Sequence, residues 1–282
     1  MLLLIKIYSK AYEFFHNKLK INLPGLGFLL RTLKKDQVIS FGDKKLFFNH
    51  KISDNYSMLI NSRFNEKETH YFLDNVFCDN QFYHFIEIGG NVGEFLIDYS
   101  DRINIKQVTV FEPQFEQLIA LQKTIELNNF KKVNLIDKAV SDYDGVINFK
   151  INTNNTTASS IEKESNEGTS IACIKIDSYF KKYDSDINHV FLIDAEGAEL
   201  DIIKGGAKFI KKHLPLIIFE YNHVSKKFFS LDEIIDELGN EYFIKRLRQD
   251  GLLDNDFHRT WNIVAIPNNR NFNHVKDLIY NG

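Results

Sequence analysis

From residue 82 onwards, short apolar runs alternate with stretches whose apolar positions recur at helical spacing. His84–Ile88, Gln107–Phe111 and Val133–Val140 read as three strands, with helices over Val92–Ser100 and Gln114–Leu127 between them. His189–Ile193 and Leu216–Phe219 are two further apolar strands, separated by a helix running from Glu199 to Lys212. Ser230 and Glu233 form a capping box that opens another helix, closed by Gly239. Tyr242–Leu247 and Asn262–Ile266, with turn residues between, read as an antiparallel pair. Strands alternating with helices imply crossover units and a parallel sheet, and the closing pair implies one reversed strand. The expected fold is therefore α/β and doubly wound.

Between the third and fourth strands the pattern is interrupted. Val146–Ile151 and Ile171–Ile176 read as strands joined by a polar stretch, residues 152–170, without apolar periodicity. A loop of that length in a compact domain is usually functional, and a lid over the substrate is expected there. At the other end, Leu4, Ile7, Tyr8, Ala11, Phe14 and Phe15 line one side of a helix whose opposite side carries Lys6, Lys10, Glu13, Asn17 and Lys20. Pro24 and Gly25 end it. Residues 1–80 are expected to form this amphipathic helix and a lead-in packing on the core, and residues 81–282 the main domain.

Charge sharpens that picture. The chain of 282 residues carries a net charge of −3, yet residues 1–51 hold ten Lys and Arg against three Asp and Glu, so the remainder is acidic. An acidic body argues against a general nucleic-acid binder, whose affinity rests on clustered Lys and Arg. Lys6 interrupts the first apolar run, so no secretory signal is read, and no stretch approaches the ~18 apolar residues of a spanning helix. A cytoplasmic protein is expected, with the basic helix either packed on the core or lying peripherally on the inner membrane face. Cys78 and Cys173 lack metal-ligand spacing and are expected to be small buried residues.

Open α/β sheets bind ligands outside the carboxyl ends of their strands. After the first strand comes Glu87-Ile88-Gly89-Gly90-Asn91-Val92-Gly93, with a helix following at once. Glycines there let the backbone approach a ligand and aim amide N–H groups at it. A dinucleotide fingerprint fails in both frames, since its first glycine falls on Ile88 or on Glu87. A carboxylate at residue 87 suits an ammonium group instead. Glu112 ends the second strand, where an acidic side chain can accept hydrogen bonds from both ribose hydroxyls. Together the two elements form a nucleoside site.

The run FIEIGGNVGEF, VFEP at Val110–Pro113, KAVSDYDG at Lys138–Gly145, LIDAEGAELDIIKGGAKFI at Leu192–Ile210 and PLIIFEYN at Pro215–Asn222 resembles the FkbM family of S-adenosylmethionine-dependent methyltransferases. The resemblance covers about half the chain. It implies the class I methyltransferase fold, Rossmann-like, with a mostly parallel seven-stranded sheet and a reversed last strand. It implies O-methylation, commonly of sugars or other small metabolites. Residue by residue, Glu87, Gly89, Gly90, Asn91 and Gly93 would cradle the amino-acid end of S-adenosylmethionine, Glu112 would hold the ribose, and Asp137 and Ala139 would border the adenine. Gly90 stands where relatives usually carry Ala.

Transfer to a hydroxyl needs alignment and a means of removing a proton. Asp194 and Glu196 end the fourth strand, and Glu220, Asn222 and His223 end the fifth, so both sets face one crevice. Either His223 or a carboxylate of Asp194, Glu196 and Glu220 takes the proton directly, or Asp194, Glu220 and Asn222 hold Mg²⁺ over the substrate oxygens. The expected activity is O-methyl transfer to a glycan or small-molecule hydroxyl, placed by the resemblance in polysaccharide or glycoconjugate assembly. The alternative is a non-catalytic glycan-assembly or membrane-surface module that keeps the fold. Tyr221, Phe228, Phe229 and Trp261 are candidates to stack on a sugar ring or to fill the core.

Overall fold

A computed structural model of the chain describes residues 36–52, 64–150, 160–161, 169–183, 185–258 and 262–280. The expected N-terminal amphipathic helix, most of the expected lid, and Trp261 lie outside the described residues. In chain order the elements are β1 (Gln37–Phe41), β2 (Lys44–Phe48), α1 (Lys67–Val76), β3 (Tyr83–Ile88), α2 (Glu94–Tyr99), β4 (Ile105–Phe111), α3 (Phe115–Asn128) and β5 (Val133–Ile136). They continue with β6 (Ala139–Val140), β7 (Gly145–Lys150), β8 (Ser160–Ile161), β9 (Thr169–Ile174), α4 (Ile176–Tyr179), β10 (Asn188–Ile193), α5 (Glu199–Gly205) and α6 (Ala207–His213). The last are β11 (Leu216–Glu220), α7 (Leu231–Leu238), β12 (Tyr242–Leu247), β13 (Leu253–Asp254) and β14 (Asn262–Pro267).

The main sheet runs in the order β13-β12-β14-β11-β10-β3-β4-β5. From β11 to β5 all pairings are parallel, while β14 runs against both β11 and β12. This is the α/β, doubly wound arrangement with the reversed closing strand. The sheet has eight strands rather than seven, because the two-residue β13 adds itself antiparallel to the edge of β12. Alternation along the strands feeds two cores. Tyr83, Phe85, Val108, Val110, Val190 and Leu192 meet α1, α2 and α3 on one face. Ile86, Ile88, Phe111, Phe191 and Ile193 meet α5, α6 and α7 on the other. Two-sided burial is why these strands read as near-continuous apolar runs.

Two expected elements are each divided. The expected strand Val133–Val140 breaks at Asp137 and Lys138, and its last two residues join a separate sheet of order β6-β9-β7-β8. The expected helix Glu199–Lys212 breaks at Gly206; a Cβ on the preceding Gly205 would lie 2.1 Å from the carbonyl oxygen of Ser141. Cys173 is buried as expected, but Cys78 is exposed, just beyond the end of α1. The β1–β2 hairpin lies on α2 and α3. The Phe47 amide donates to Thr124 Oγ1 at 3.0 Å, Asn49 Nδ2 donates to Glu116 Oε2 at 2.6 Å, and Leu46, Phe48 and Ile52 pack with Val92, Ile97 and Ala120. Among the described residues, no helix is long and apolar enough to cross a membrane.

Candidate active site

Strand register creates the site. Ile88 pairs with Phe111 and Ile193, Phe111 with Ile136, and Ile193 with Phe219. The residues that follow, Gly89, Glu112, Asp137, Asp194 and Glu220, therefore emerge along a single line at the carboxyl edge of the sheet. Glu87 lies one step inside that edge, in the alternation that sends Tyr83 and Phe85 into the α1–α3 core.

The turn after β3 is backbone-tight. The amides of Gly89 and Gly90 both donate to the Phe111 carbonyl, at 2.9 and 3.2 Å. Gly89, Asn91 and Gly93 have φ of 93°, 44° and 86°, in the left-handed region that favours glycine and tolerates asparagine. Gly90 answers to packing rather than dihedrals. A Cβ there would lie 2.3 Å from Val110 Cγ1, so the large neighbour beneath the turn occupies the space that an alanine would need.

Glu112 ties this turn to the next one. Its Oε2 accepts the Asn91 amide and its Oε1 the Gln114 amide, both at 2.8 Å, and only 2% of the residue is exposed. Each oxygen keeps a lone pair for a further donor. Desolvation pushes its pKa up to about 7 against the pull of the two amides. Glu87 is 3% exposed and its Oε2 has no hydrogen-bond partner. Desolvation, then the charges of Glu112, Glu94 and Glu66, push it well above the usual carboxylate range. Asp137 is exposed, whereas Ala139 is buried and pairs with Cys173 in the second sheet.

A second group gathers opposite. Oxygens of Asp194, Glu196 and Glu220 all lie within 4.8 Å of one another. Glu220 is buried, and desolvation, then Glu196 and Glu199, raise its pKa to about 8 while a hydrogen bond from Asn222 opposes the rise. Desolvation and then the charge of Glu220 push Asp194 well above its ordinary value. Asp194 keeps an open face to water, so the charged neighbours weigh more there than burial. Glu196, at φ 49°, is raised by desolvation. Asn222 and His223 are placed differently from these three. Asn222 Oδ1 accepts the amides of Val224 and Ser225, at 2.6 and 3.2 Å, and His223 is exposed on the same turn, outside the carboxylate group. Of the aromatic candidates, Tyr221 and Phe229 are core, while Phe228 is 56% exposed and its ring leaves no space for a Cβ on Gly197.

Three further carboxylates join these, none of them singled out from the sequence. Glu199 is fully buried at the start of α5 and accepts the amides of Ala195 and Gly197 on Oε1, both at 3.2 Å, holding the turn that carries Glu196. Desolvation pushes it up to about 7. Glu94, the first residue of α2, accepts the amides of Asn65 and Glu66 on Oε1, at 2.6 and 3.0 Å. Glu66 comes from the lead-in, is held by Thr69 and Asn262, and its charge acts on Glu87, Asp194 and Glu220 alike. An acidic residue in a helix's first turn is a signal that could have marked Glu94 and Glu199.

The family model described as the Methyltransferase FkbM domain matches residues 87–245, a span holding Glu87, Glu112, Asp194, Glu196 and Glu220. No curated protein matches the chain. Among solved structures, the FkbM methyltransferase of Methylobacillus flagellatus KT is 15% identical with a TM-score of 0.47, over 74% of this chain and 52% of that one. This chain thus spans about half the length of that protein. SMU.1697c of Streptococcus mutans, solved with SAH, is 15% identical with a TM-score of 0.40, over 71% and 95% of the two chains. TYW2 of M. jannaschii, solved with AdoMet, is 10% identical with a TM-score of 0.42, over 82% and 84%.

Proposed function

This chain belongs to the FkbM methyltransferase domain family, and we propose on that premise that it is an S-adenosylmethionine-dependent O-methyltransferase acting on a sugar hydroxyl of a surface glycan or its precursor. The observation that carries the donor assignment is the orphaned Oε2 of Glu87, buried beside a turn whose backbone leaves no room for side chains at Gly89 and Gly90. A buried carboxylate oxygen without a donor is costly, and a ligand ammonium removes the cost by supplying both a donor and a charge. The remaining lone pairs of Glu112 suit the two ribose hydroxyls, and the family resemblance assigns the adenine border to Asp137, which is exposed, and to Ala139.

S-adenosylmethionine, when bound, supplies an electrophilic methyl carbon with a neutral thioether as leaving group. The chain's own part is alignment and proton removal. As the acceptor O–H breaks, its proton passes to an oxygen of the Asp194, Glu196 and Glu220 group. Carboxylates with raised pKa values, Glu220 at about 8 among them, are matched to that task, being able both to accept the proton and to release it. The sugar acceptor and its setting in polysaccharide assembly rest on the family resemblance.

Calorimetric titration of the full chain with S-adenosylmethionine and S-adenosylhomocysteine tests the donor. Binding in the micromolar range is expected, with Glu87→Gln weakening it at least ~10-fold through the lost charged hydrogen bond. Absence of binding by both compounds removes the methyltransferase reading. Methyl transfer from labelled donor onto sugar nucleotides, set against phenols and amines, tests the acceptor class.

A further inference from the structure

We propose that Asp194, Glu196 and Glu220 hold one divalent cation at the acceptor end of the crevice, with an open coordination position for the acceptor oxygen. Its role in transfer rests on the methyltransferase reading above; its binding does not. The three ligands come from the end of β10, the turn after it and the end of β11, and strand register brings them together. Their oxygens lie within 4.8 Å of one another. A hard cation with oxygens at 2.0–2.6 Å spans up to about 4–5 Å across, so the carboxylates need little movement to close on it.

A second observation points to an occupant. Glu220 is only 8% exposed and its Oε2 has no hydrogen-bond partner, although Asn222 supports the same carboxylate. Among the described residues, no Lys, Arg or His makes an ion pair with any of the three. A buried carboxylate oxygen without a donor or a counter-charge is the expected state of a metal ligand lacking its ion. An all-oxygen donor set favours Mg²⁺, Mn²⁺ or Ca²⁺ over softer ions. The set differs from the Asp194, Glu220 and Asn222 expected from sequence, because the Asn222 oxygen is already engaged by two amides and Glu196 takes its place. Glu199, behind the group, fixes the turn on either side of Glu196.

With the ion in place, an acceptor hydroxyl that fills the open position loses its proton more readily. Each ligating carboxylate gives one oxygen and keeps its second, so the group still has an oxygen to receive that proton.

The test titrates the EDTA-treated full chain with Mn²⁺, following loss of the free-ion electron paramagnetic resonance signal, with Mg²⁺ and Ca²⁺ as competitors. One site per chain is expected, weakened at least ~10-fold in Asp194→Asn and in Glu220→Gln but not in Asp232→Asn, an exposed carboxylate on α7. Circular dichroism confirms that the variants fold, and the milder Glu196→Gln variant repeats the test if either does not. Failure of Mn²⁺ to bind, or equal weakening in all variants, overturns the inference. S-adenosylmethionine binding measured in EDTA separates the two readings, since donor binding without Mn²⁺ binding removes the ion alone, and the reverse removes the methyltransferase.

Discussion

The backbones of Gly89 and Asp194 touch. A Cβ on residue 89 would lie 1.9 Å from the Asp194 carbonyl oxygen, and the Asp194 amide donates to the Ile88 carbonyl at 2.9 Å. The turn assigned to the donor and the group assigned to the acceptor are thus locked across one strand pair.

Gly89→Ala should therefore damage both sites at once. A positive φ and a backbone clash together are expected to cost about 2–4 kcal/mol. Thermal unfolding measures the cost, and donor and Mn²⁺ titrations should weaken together. A variant with wild-type stability would show that the approach is looser than described.

Gly90→Ala should destabilise by about 1–3 kcal/mol because Val110 fills the space. In a Gly90→Ala/Val110→Ala pair the added methyl occupies room that the valine vacates, so the double variant should lose less than the sum of the two singles. Denaturant melts of the four proteins decide it, and strict additivity would remove Val110 as the cause.

For Glu112, a folded-state pKa of about 7 lies above that of an unfolded glutamate. The stability it contributes is complete below about pH 4.5 and is lost as pH rises through 7. Wild type should lose more stability than Glu112→Gln between pH 5 and pH 8. Over the same range its affinity for S-adenosylmethionine should rise, because the ionised form accepts ribose hydroxyls on both oxygens. A pH-independent difference between the two proteins, in melts and in titrations, would count against both statements.

His70 follows the same direction from a different starting point. It is 6% exposed, its Nδ1 lies 2.9 Å from Asp98 and its Nε2 3.3 Å from Glu94, and its ring stacks between Phe64 and Phe95. Burial alone would lower its pKa, but the hydrogen bond with Asp98 and the charges of Glu94 and Asp98 outweigh burial and raise it. The resulting stabilisation is complete below about pH 6.5 and disappears as pH rises through the folded value. His70→Gln should cost about 2 kcal/mol or more at pH 6 and less at pH 9. Chemical denaturation at the two values is the check, and an equal cost would leave only packing.

The central strands β3, β4, β10 and β11 were legible because both faces are buried, and the capping box of Ser230 and Glu233 forms as its spacing predicts. Glu87, Glu112, Asp194 and Glu220 were legible because strand ends and glycine turns mark the sheet edge. Glu199 was hidden because its carboxylate turns back onto its own loop, an effect of local geometry rather than spacing. Glu66 was hidden because it reaches the crevice from a segment far away in sequence. His70 was equally hidden, since helical periodicity marks a position as buried without saying which carboxylates it will meet there.

The placement of β14 has a consequence for how the protein is made. The last of the eight strands to be synthesised lies between β11 and β12 and pairs with both. Until it leaves the ribosome, β11 presents an open edge, and β12 has only the two-residue β13 beside it. A nascent chain that stalls between Asp254 and Asn262 therefore exposes an apolar strand edge open to pairing with other chains. The sheet closes from the inside, and the arrival of β14 is the step that ends this exposure to aggregation.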